Sequence, residues 1–277
     1  GYIITGRSSG DMFLLKVDMN GNFEWSNSFS DGTNNIGHSV QQTNDGGYII
    51  AGEKENIFGN VTMWIIKTDV SGSFQWDTSY YGTPCSIVQT SDGGYIVGGN
   101  RDYTSGPFAG STKITLRKLD SSGGQTWLQT FGTYNDVVYF ASDIQQTSDN
   151  GFVIVGGRYG PSGDYALMYK TDNLGNQEWS GSYQNSNNFS EWEEVKQTTD
   201  GGFALVGTED DKIHFSKINN TGTSFIFLNN SYPSGNGFCN SGKSVDLTDD
   251  GGYVVCGSYC PGIFLLKSDN LGNQEWF

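Results

Sequence analysis

His38-Ser39-Val40-Gln41-Gln42-Thr43-Asn44-Asp45-Gly46-Gly47-Tyr48-Ile49-Ile50-Ala51-Gly52 is the stretch whose reading decides the fold. Residues 39–43 form a short strand, residues 44–47 a cluster of turn formers, and residues 48–52 a second strand. Asp-Gly between two such runs is a hairpin signal and predicts a type I′ turn, because glycine tolerates positive φ. The phrase recurs from Asp92, Asp149, Asp200 and Asp250 at intervals of 47 to 57 residues, and its tail, Gly1-Tyr2-Ile3-Ile4, opens the chain. A fixed period of this length is the mark of a repeat architecture. A phrase present in every repeat belongs to the scaffold before it belongs to a site.

A second phrase follows each of these by about twenty residues. It reads Lys16-x-Asp18-x-x-Gly21-x-x-x-Trp25 and returns from Lys67, Lys118, Lys170, Lys217 and Lys267. Residues 63–69 make a third strand, Asp69 to Gly72 a turn in which aspartate bonds its own backbone, and residues 74–76 lie on a fourth strand. Four antiparallel strands in about 47 residues is the plan of a propeller blade. Ile49-Ile50, Ile65-Ile66 and Leu14-Leu15 are apolar at consecutive positions, as expected where both faces of a sheet meet neighbouring blades.

The expected fold is therefore all-β: a single domain, 1–277, forming a six-bladed β-propeller of four-stranded antiparallel blades. Its repeats start near residues 1, 38, 85, 142, 193 and 244. The first repeat lacks the innermost, or A, strand. We expect that strand to come from beyond Phe277 or from a partner, with the two termini meeting. Trp25, Trp76, Trp127, Trp179 and Trp276 stand four residues after a turn glycine and are expected to dock between blades. The fifth repeat has Ile226 at that place, flanked by Phe225 and Phe227, so this blade should pack differently. The repeated lysines are expected to lay their stems along the sheet with the ammonium in water.

Lys170-Thr-Asp172-x-x-Gly175-Asn-x-x-Trp179 resembles the tryptophan-docking repeat of quinoprotein-type β-propellers. The phrase from Gln41 to Gly52 resembles repeats of large secreted or surface proteins of bacteria and archaea. The resemblance implies the fold and an extracellular or cell-surface location. Quinoprotein dehydrogenases typically have eight blades, and many carry adjacent cysteines near the cofactor; this chain has six repeats and no such pair, so no quinone is expected.

Composition excludes several partners. The chain has 277 residues and a net charge of −15. That balance disfavours nucleic acid and anionic lipid, both of which need a Lys/Arg surface. No apolar run reaches the length of about 18 residues that a spanning helix requires. Forty glycines and an aromatic share of 14% suit short strands and tight turns.

Blade topology sorts the connections into two ends. The near-identical turns lie at one; the variable loops lie at the other, at 53–60, 100–112, 158–164 and 258–262 and at 28–37, 132–141, 183–192 and 231–242. Binding residues concentrate on loops held by a rigid scaffold. The aromatics Tyr103, Phe108, Tyr134, Tyr139, Phe140, Tyr159, Phe189 and Trp192 are thus binding-face candidates for a protein hot spot or for sugar stacking, or else they cover the blade tops. Cys239 and Cys260 fall at this end and form either a disulfide or two free thiols. Asn60, Asn188, Asn219 and Asn229 begin glycosylation sequons. Asp18, Asp172 and Asp269 open runs resembling calcium loops, but the segments are short turns and the turn reading prevails; no cofactor or metal is expected. His38 and His214 lie in different repeats without a nucleophile motif. Glu191, Glu193 and Glu194 leave a residual glycosidase reading. The function expected is a non-enzymatic structural or adhesive protein-interaction module at the cell surface; the alternative is a glycan-binding propeller.

Overall fold

The computed structural model describes residues 1–55, 61–103, 109–133, 138–161, 163–183, 190–209, 212–223, 225–227, 240–259 and 262–276. These residues form strands and turns without a helix. The chain divides into two compact units, Gly1–Thr133 and Tyr134–Phe277.

The first unit opens with a three-stranded sheet, β1 (Tyr2–Ser8), β2 (Asp11–Val17) and β3 (Phe23–Phe29). Two four-strand meanders follow. They are β4 (Asn35–Gln42), β5 (Tyr48–Glu55), β6 (Val61–Thr68) and β7 (Phe74–Tyr81), then β8 (Thr83–Gln89), β9 (Tyr95–Tyr103), β10 (Ser111–Leu119) and β11 (Gln125–Phe131). Every pairing within a meander is antiparallel, between consecutive strands. The second unit holds three more meanders. They are β12 (Val138–Gln146) to β15 (Gln177–Tyr183), through β13 (Phe152–Tyr159) and β14 (Tyr165–Thr171); β16 (Ser190–Gln197) to β19 (Phe225–Phe227), through β17 (Phe203–Glu209) and β18 (Lys212–Ile218); and β20 (Ser241–Leu247) to β23 (Gln274–Trp276), through β21 (Tyr253–Tyr259) and β22 (Gly262–Ser268).

The aliphatic doublets behave as two-faced strands require. Ile50 and Ile66 pack with Met12 and Leu14 of the preceding sheet, whereas Ile49 and Ile65 pack with Ile87 and Val97 of the next. Val206 and Leu205 divide in the same way within the second unit. Each of these doublets joins two cores, and so both of its residues are buried; Leu14-Leu15 differs, with Leu14 in the core and Leu15 only half-buried.

The hairpin turn is not type I′. Each Asp-Gly turn has one left-handed residue rather than two: Gly46 at φ 81°, with Asn150 at φ 65° in the fourth repeat. Thr43 N donates to Gly47 O and Gly46 N to Thr43 O. This is a right-handed turn closed by one left-handed residue, the usual solution for a loop longer than two residues.

Four of the repeated lysines also differ from expectation: Lys67, Lys118, Lys170 and Lys267 are buried, whereas Lys16 and Lys217 are partly exposed. Lys67 is 3% exposed, and its Nζ lies 2.9 Å from Asp45 Oδ2 and 2.7 Å from Thr68 O. Asp45 Oδ1 accepts from Thr43 Oγ1 at 2.5 Å and from Gly47 N at 3.0 Å. Lys118–Asp92, Lys170–Asp149, Lys217–Asp200 and Lys267–Asp250 repeat the pair. The second glycine makes room for it, since a Cβ on Gly47 would stand 2.2 Å from Thr68 O and 2.6 Å from Lys67 Nζ. Burial of an ammonium is tolerated because every donor direction meets an oxygen.

Tryptophan docking holds at three described boundaries. Trp25 meets Tyr48 edge-on at 5.7 Å, Trp76 meets Tyr95 at 5.9 Å, and Trp179 meets Phe203 at 6.1 Å. Trp127 occupies the same register position in β11, opposite Lys118. Trp276, by contrast, is 46% exposed.

Candidate functional site

The A strands β4, β8, β12, β16 and β20 share a defect. Each slips register by one residue against its neighbour, and the extra residue is His38, Cys85, Ser142, Glu193 or Lys243. Bulges bend a strand and re-aim a side chain, and they cluster near functional sites. In this chain they place five chemically different groups at one equivalent position of an otherwise uniform repeat. In the first unit, His38 Nε2 lies 3.2 Å from Glu53 Oε1.

The second unit builds the richest constellation. Lys243 Nζ pairs with Glu193 Oε1, so two bulge residues on adjacent A strands meet directly. Glu193 in turn hydrogen-bonds Glu191, and Tyr159 donates its hydroxyl to Glu191 Oε2 at 3.3 Å. Burial pushes the Glu191 carboxyl up to about 7, with the hydrogen bond and charge of Glu193 adding to it. Burial, then the Glu191 charge, raises the Tyr159 phenol. Glu191 therefore holds a proton near neutrality, next to the Lys243–Glu193 pair. Phe140 stacks on Tyr159 at 4.8 Å, giving the acidic pair an aromatic flank. Glu194, next along β16, is committed elsewhere: it accepts from Ser244 Oγ at 2.6 Å and Val245 N at 2.8 Å, and it pairs with Lys196 at 2.9 Å. Chemically the cluster offers one exchangeable proton, one cation and an aromatic face, a set suited to polar recognition.

The aromatic candidates fall into three groups. Tyr159 and Phe140 join the cluster. Tyr103 lies at the end of β9 with the Arg101 guanidinium 5.2 Å above its ring; Arg101 also covers Tyr81 at 5.5 Å. Tyr139 and Trp192 are corrections, because neither is a surface residue: they are 3% and 1% exposed. Strands β12 and β16 begin at Val138 and Ser190, so segments read as loops are paired backbone, and alternation turns Trp192 into the core with Val153, Met168 and Val195. Its ring meets His214 edge-on at 4.9 Å. Phe108, Tyr134 and Phe189 lie outside the described residues, as do Cys239, Cys260, Asn60, Asn188 and Asn229.

Asn219 is described, and its side chain is engaged in a turn: Oδ1 accepts from Thr223 N at 3.0 Å and Nδ2 donates to Thr223 Oγ1 at 3.3 Å. The aspartates of the calcium-like runs are turn residues too. Asp18 Oδ1 accepts from the backbone N–H of Asn20 and of Asn22, each at 2.8 Å, and Asp172 and Asp269 repeat the geometry.

Sequence reasoning singled out Glu191 and Glu193 but missed Lys243 and the bulge position itself. The signal was present: five residues before each repeated Thr43, Thr90, Thr147, Thr198 and Thr248, the residue changes chemistry every time.

No family model and no curated protein matches the chain. Solved structures do resemble it. Puromycin hydrolase does so with a TM-score of 0.60 at 11% identity, over 99% of this chain and 46% of that one. A protein of unknown function from Bacteroides caccae gives 0.57 at 12%, over 99% and 91%. Prolyl oligopeptidase B from Galerina marginata gives 0.54 at 9%, over 95% and 39%. The chain thus spans less than half of either hydrolase, and identities this low concern the fold alone.

Proposed function

We propose that the chain is a six-bladed β-propeller without catalytic activity, acting outside the cell or at its surface as an adhesive or structural module. It holds a partner protein through its variable end. The observation that carries this reading is the division of labour within each repeat. The uniform turns are consumed by scaffold contacts, whereas chemical variety concentrates at the bulges and beside Tyr159. Six blades are supported by the six repeats of the sequence.

The test is site-specific photocrosslinking. A benzophenone amino acid placed at the exposed Pro161, beside the Tyr159 cluster, should trap one dominant surface protein on native cells, identified by mass spectrometry. The same probe at the exposed Asn44, among the uniform turns, should not. Equal trapping at both positions defeats the reading.

The Phe140–Tyr159 stack beside two carboxyl groups favours glycan binding as the second reading, since aromatic faces and carboxylates together recognise sugar rings. A glycan array answers that question; binding lost on Tyr159→Ala would favour the lectin reading over the protein partner.

A further inference from the structure

One strand edge of the first unit is built like a paired one. β1 carries the sequence of a second strand: Gly1-Tyr2-Ile3-Ile4-Thr5-Gly6 matches Gly47-Tyr48-Ile49-Ile50-Ala51-Gly52. From β5 onward each such strand is paired by the A strand before it. Among the described residues β1 pairs with β2 alone and is the edge of its sheet.

The neighbouring A strand, β4, is unsatisfied on the same side. At the other boundaries one A strand passes side-chain acceptors to the next. Ser39 Oγ and Gln41 Oε1 accept from Ile87 N at 3.2 Å and Gln89 N at 2.6 Å. Asp143 Oδ2 and Gln145 Oε1 accept from Val195 N at 3.3 Å and Gln197 N at 2.6 Å. Glu194 Oε2 accepts from Val245 N at 2.8 Å. The equivalent donors in β4 are Val40 N and Gln42 N, in the same register against β5 as Ile87 and Gln89 are against β9. Neither meets an acceptor among the described residues. Val40 is also only half-buried, whereas Ile87, Val195 and Val245 are 2%, 0% and 0% exposed. The spacing of β1 and β4 is nevertheless that of an occupied boundary. A Cβ on Gly37 would stand 2.0 Å from Thr5 Oγ1, and a Cβ on Gly242 would stand 2.4 Å from Val206 Cγ2 in β17, the equivalent of Thr5. β4 thus packs on β1 as β20 packs on β17, and there β16 is seated on the β17 edge.

We propose that the β1 edge takes up an extended segment of a partner protein, antiparallel to β1, bearing the triplet Ser, Asp or Glu, then Val or Ile, then Gln. The middle residue lies opposite Ile4, as Val40 lies opposite Ile50. The two flanking acceptors reach Val40 N and Gln42 N. The chain's own usage specifies this occupant, since Ser39-Val40-Gln41 and Asp143-Ile144-Gln145 hold this register on β5 and β13. A second copy is a poorer donor, because its A strands are already paired within their own sheets. Strand addition takes affinity from main-chain hydrogen bonds and specificity from alternate side chains. All the receiving residues belong to the first unit, whereas the Tyr159 cluster belongs to the second.

The probe is a synthetic nonapeptide with the sequence of residues 35–43, titrated into the whole chain by calorimetry and by heteronuclear NMR. We expect saturable binding, shifts of the Val40 and Gln42 amide signals, and slowed hydrogen exchange along β1. Leucine in place of the peptide's counterpart of Gln41 removes one hydrogen bond and should weaken binding about fivefold. A chain carrying a second copy of residues 35–46 ahead of Gly1 supplies the strand in cis. It should melt at a higher temperature and no longer bind the peptide. The proposal is overturned by any of three results: no saturable binding to the unmodified chain, equal binding of the leucine or a scrambled peptide, or undiminished binding to the extended chain. Self-association of the unmodified chain that the peptide disperses, followed by sedimentation velocity, would give the edge to a second copy and overturn it as well. None of these results bears on the crosslinking at Pro161.

Discussion

Gln41 and Gln89, on adjacent sheets, are joined side chain to backbone: Gln41 Oε1 accepts the Gln89 N–H at 2.6 Å. Gln89 returns the contact by accepting from Asn44 N at 2.7 Å. Gln145, Gln197 and Ser148 repeat this exchange in the second unit. Strands β4 and β8 are edges of their sheets and each leaves one row of backbone groups unpaired. The glutamines satisfy part of that row from the next sheet. Gln41→Ala should therefore lower stability by about 1 kcal/mol. Gln42→Ala, one residue on, should cost less, because Gln42 only donates to Gly46 O within its own turn at 3.2 Å. Paired urea titrations of the two variants decide this; equal effects would count against the clasp.

The Lys67–Asp45 pair should respond asymmetrically. The lysine side chain is 4% exposed and the aspartate 57%. Asp45→Ala strands a buried ammonium on Thr68 O and Gln75 Oε1, at a cost of about 2 kcal/mol. Lys67→Met removes the charge and keeps the stem packed, leaving Asp45 to water, and should cost under about 1 kcal/mol. The Thr43 hydrogen bond and then Lys67 hold the Asp45 carboxyl down at about 2. A carboxyl lowered in the folded state stabilises above its ordinary value of 3.8 and loses that contribution as pH falls towards 2. Acid titration of Asp45→Ala should accordingly be flatter between about pH 4 and pH 2 than that of the unmodified protein.

Two turn glycines of one sheet separate conformational from steric demand. Gly93 has φ 81° with open space around a built Cβ; Gly123 has φ 86° with the Trp76 ring 2.7 Å from it. Gly93→Ala should cost only the left-handed backbone penalty, about 1 kcal/mol. Gly123→Ala should add the displacement of the docked indole, for roughly 3 kcal/mol in total. Thermal melts of the two variants, with near-ultraviolet circular dichroism to follow the Trp76 environment, test the difference.

Much of this frame was legible before any coordinates. The period gave the repeats, the aliphatic doublets gave two-faced strands, and the fixed spacing from turn glycine to tryptophan gave the docking at Trp25, Trp76 and Trp179. The lysine burial was not legible, because a lysine on a strand ordinarily keeps its ammonium wet. Only the simultaneous presence of Asp45, Thr43 and the second glycine makes the alternative affordable, and those residues already had a sufficient reading as a turn. Trp192 and Tyr139 were misplaced for a related reason. Pattern alone does not show where an A strand starts when a bulge breaks its register, as at Ser142 in β12 and Glu193 in β16. The Lys243–Glu193 contact depends on two bulges in adjacent sheets, a long-range coincidence that no local signal encodes.

Glu191 should give the second unit an inverse pH response. Its carboxyl is raised by burial and by Glu193 from 4.5 to about 7, so the folded state retains a proton that the unfolded chain has already released. A carboxyl raised in the folded state contributes stability that declines as pH rises from the unfolded to the folded value. The window is therefore about pH 4.5 to 7, above the range in which the turn aspartates titrate: the Lys217 and Thr198 hydrogen bonds hold Asp200 at about 2. Melting temperatures followed across that window should fall with rising pH in the unmodified protein. Glu191→Gln keeps a donor towards Glu193 but cannot ionise, so its melting temperature should stay nearly level. Lys243→Met should steepen the slope, because Glu193 then lacks the cation that offsets a second negative charge beside it. An identical slope in the unmodified protein and in Glu191→Gln would show that the proton resides elsewhere.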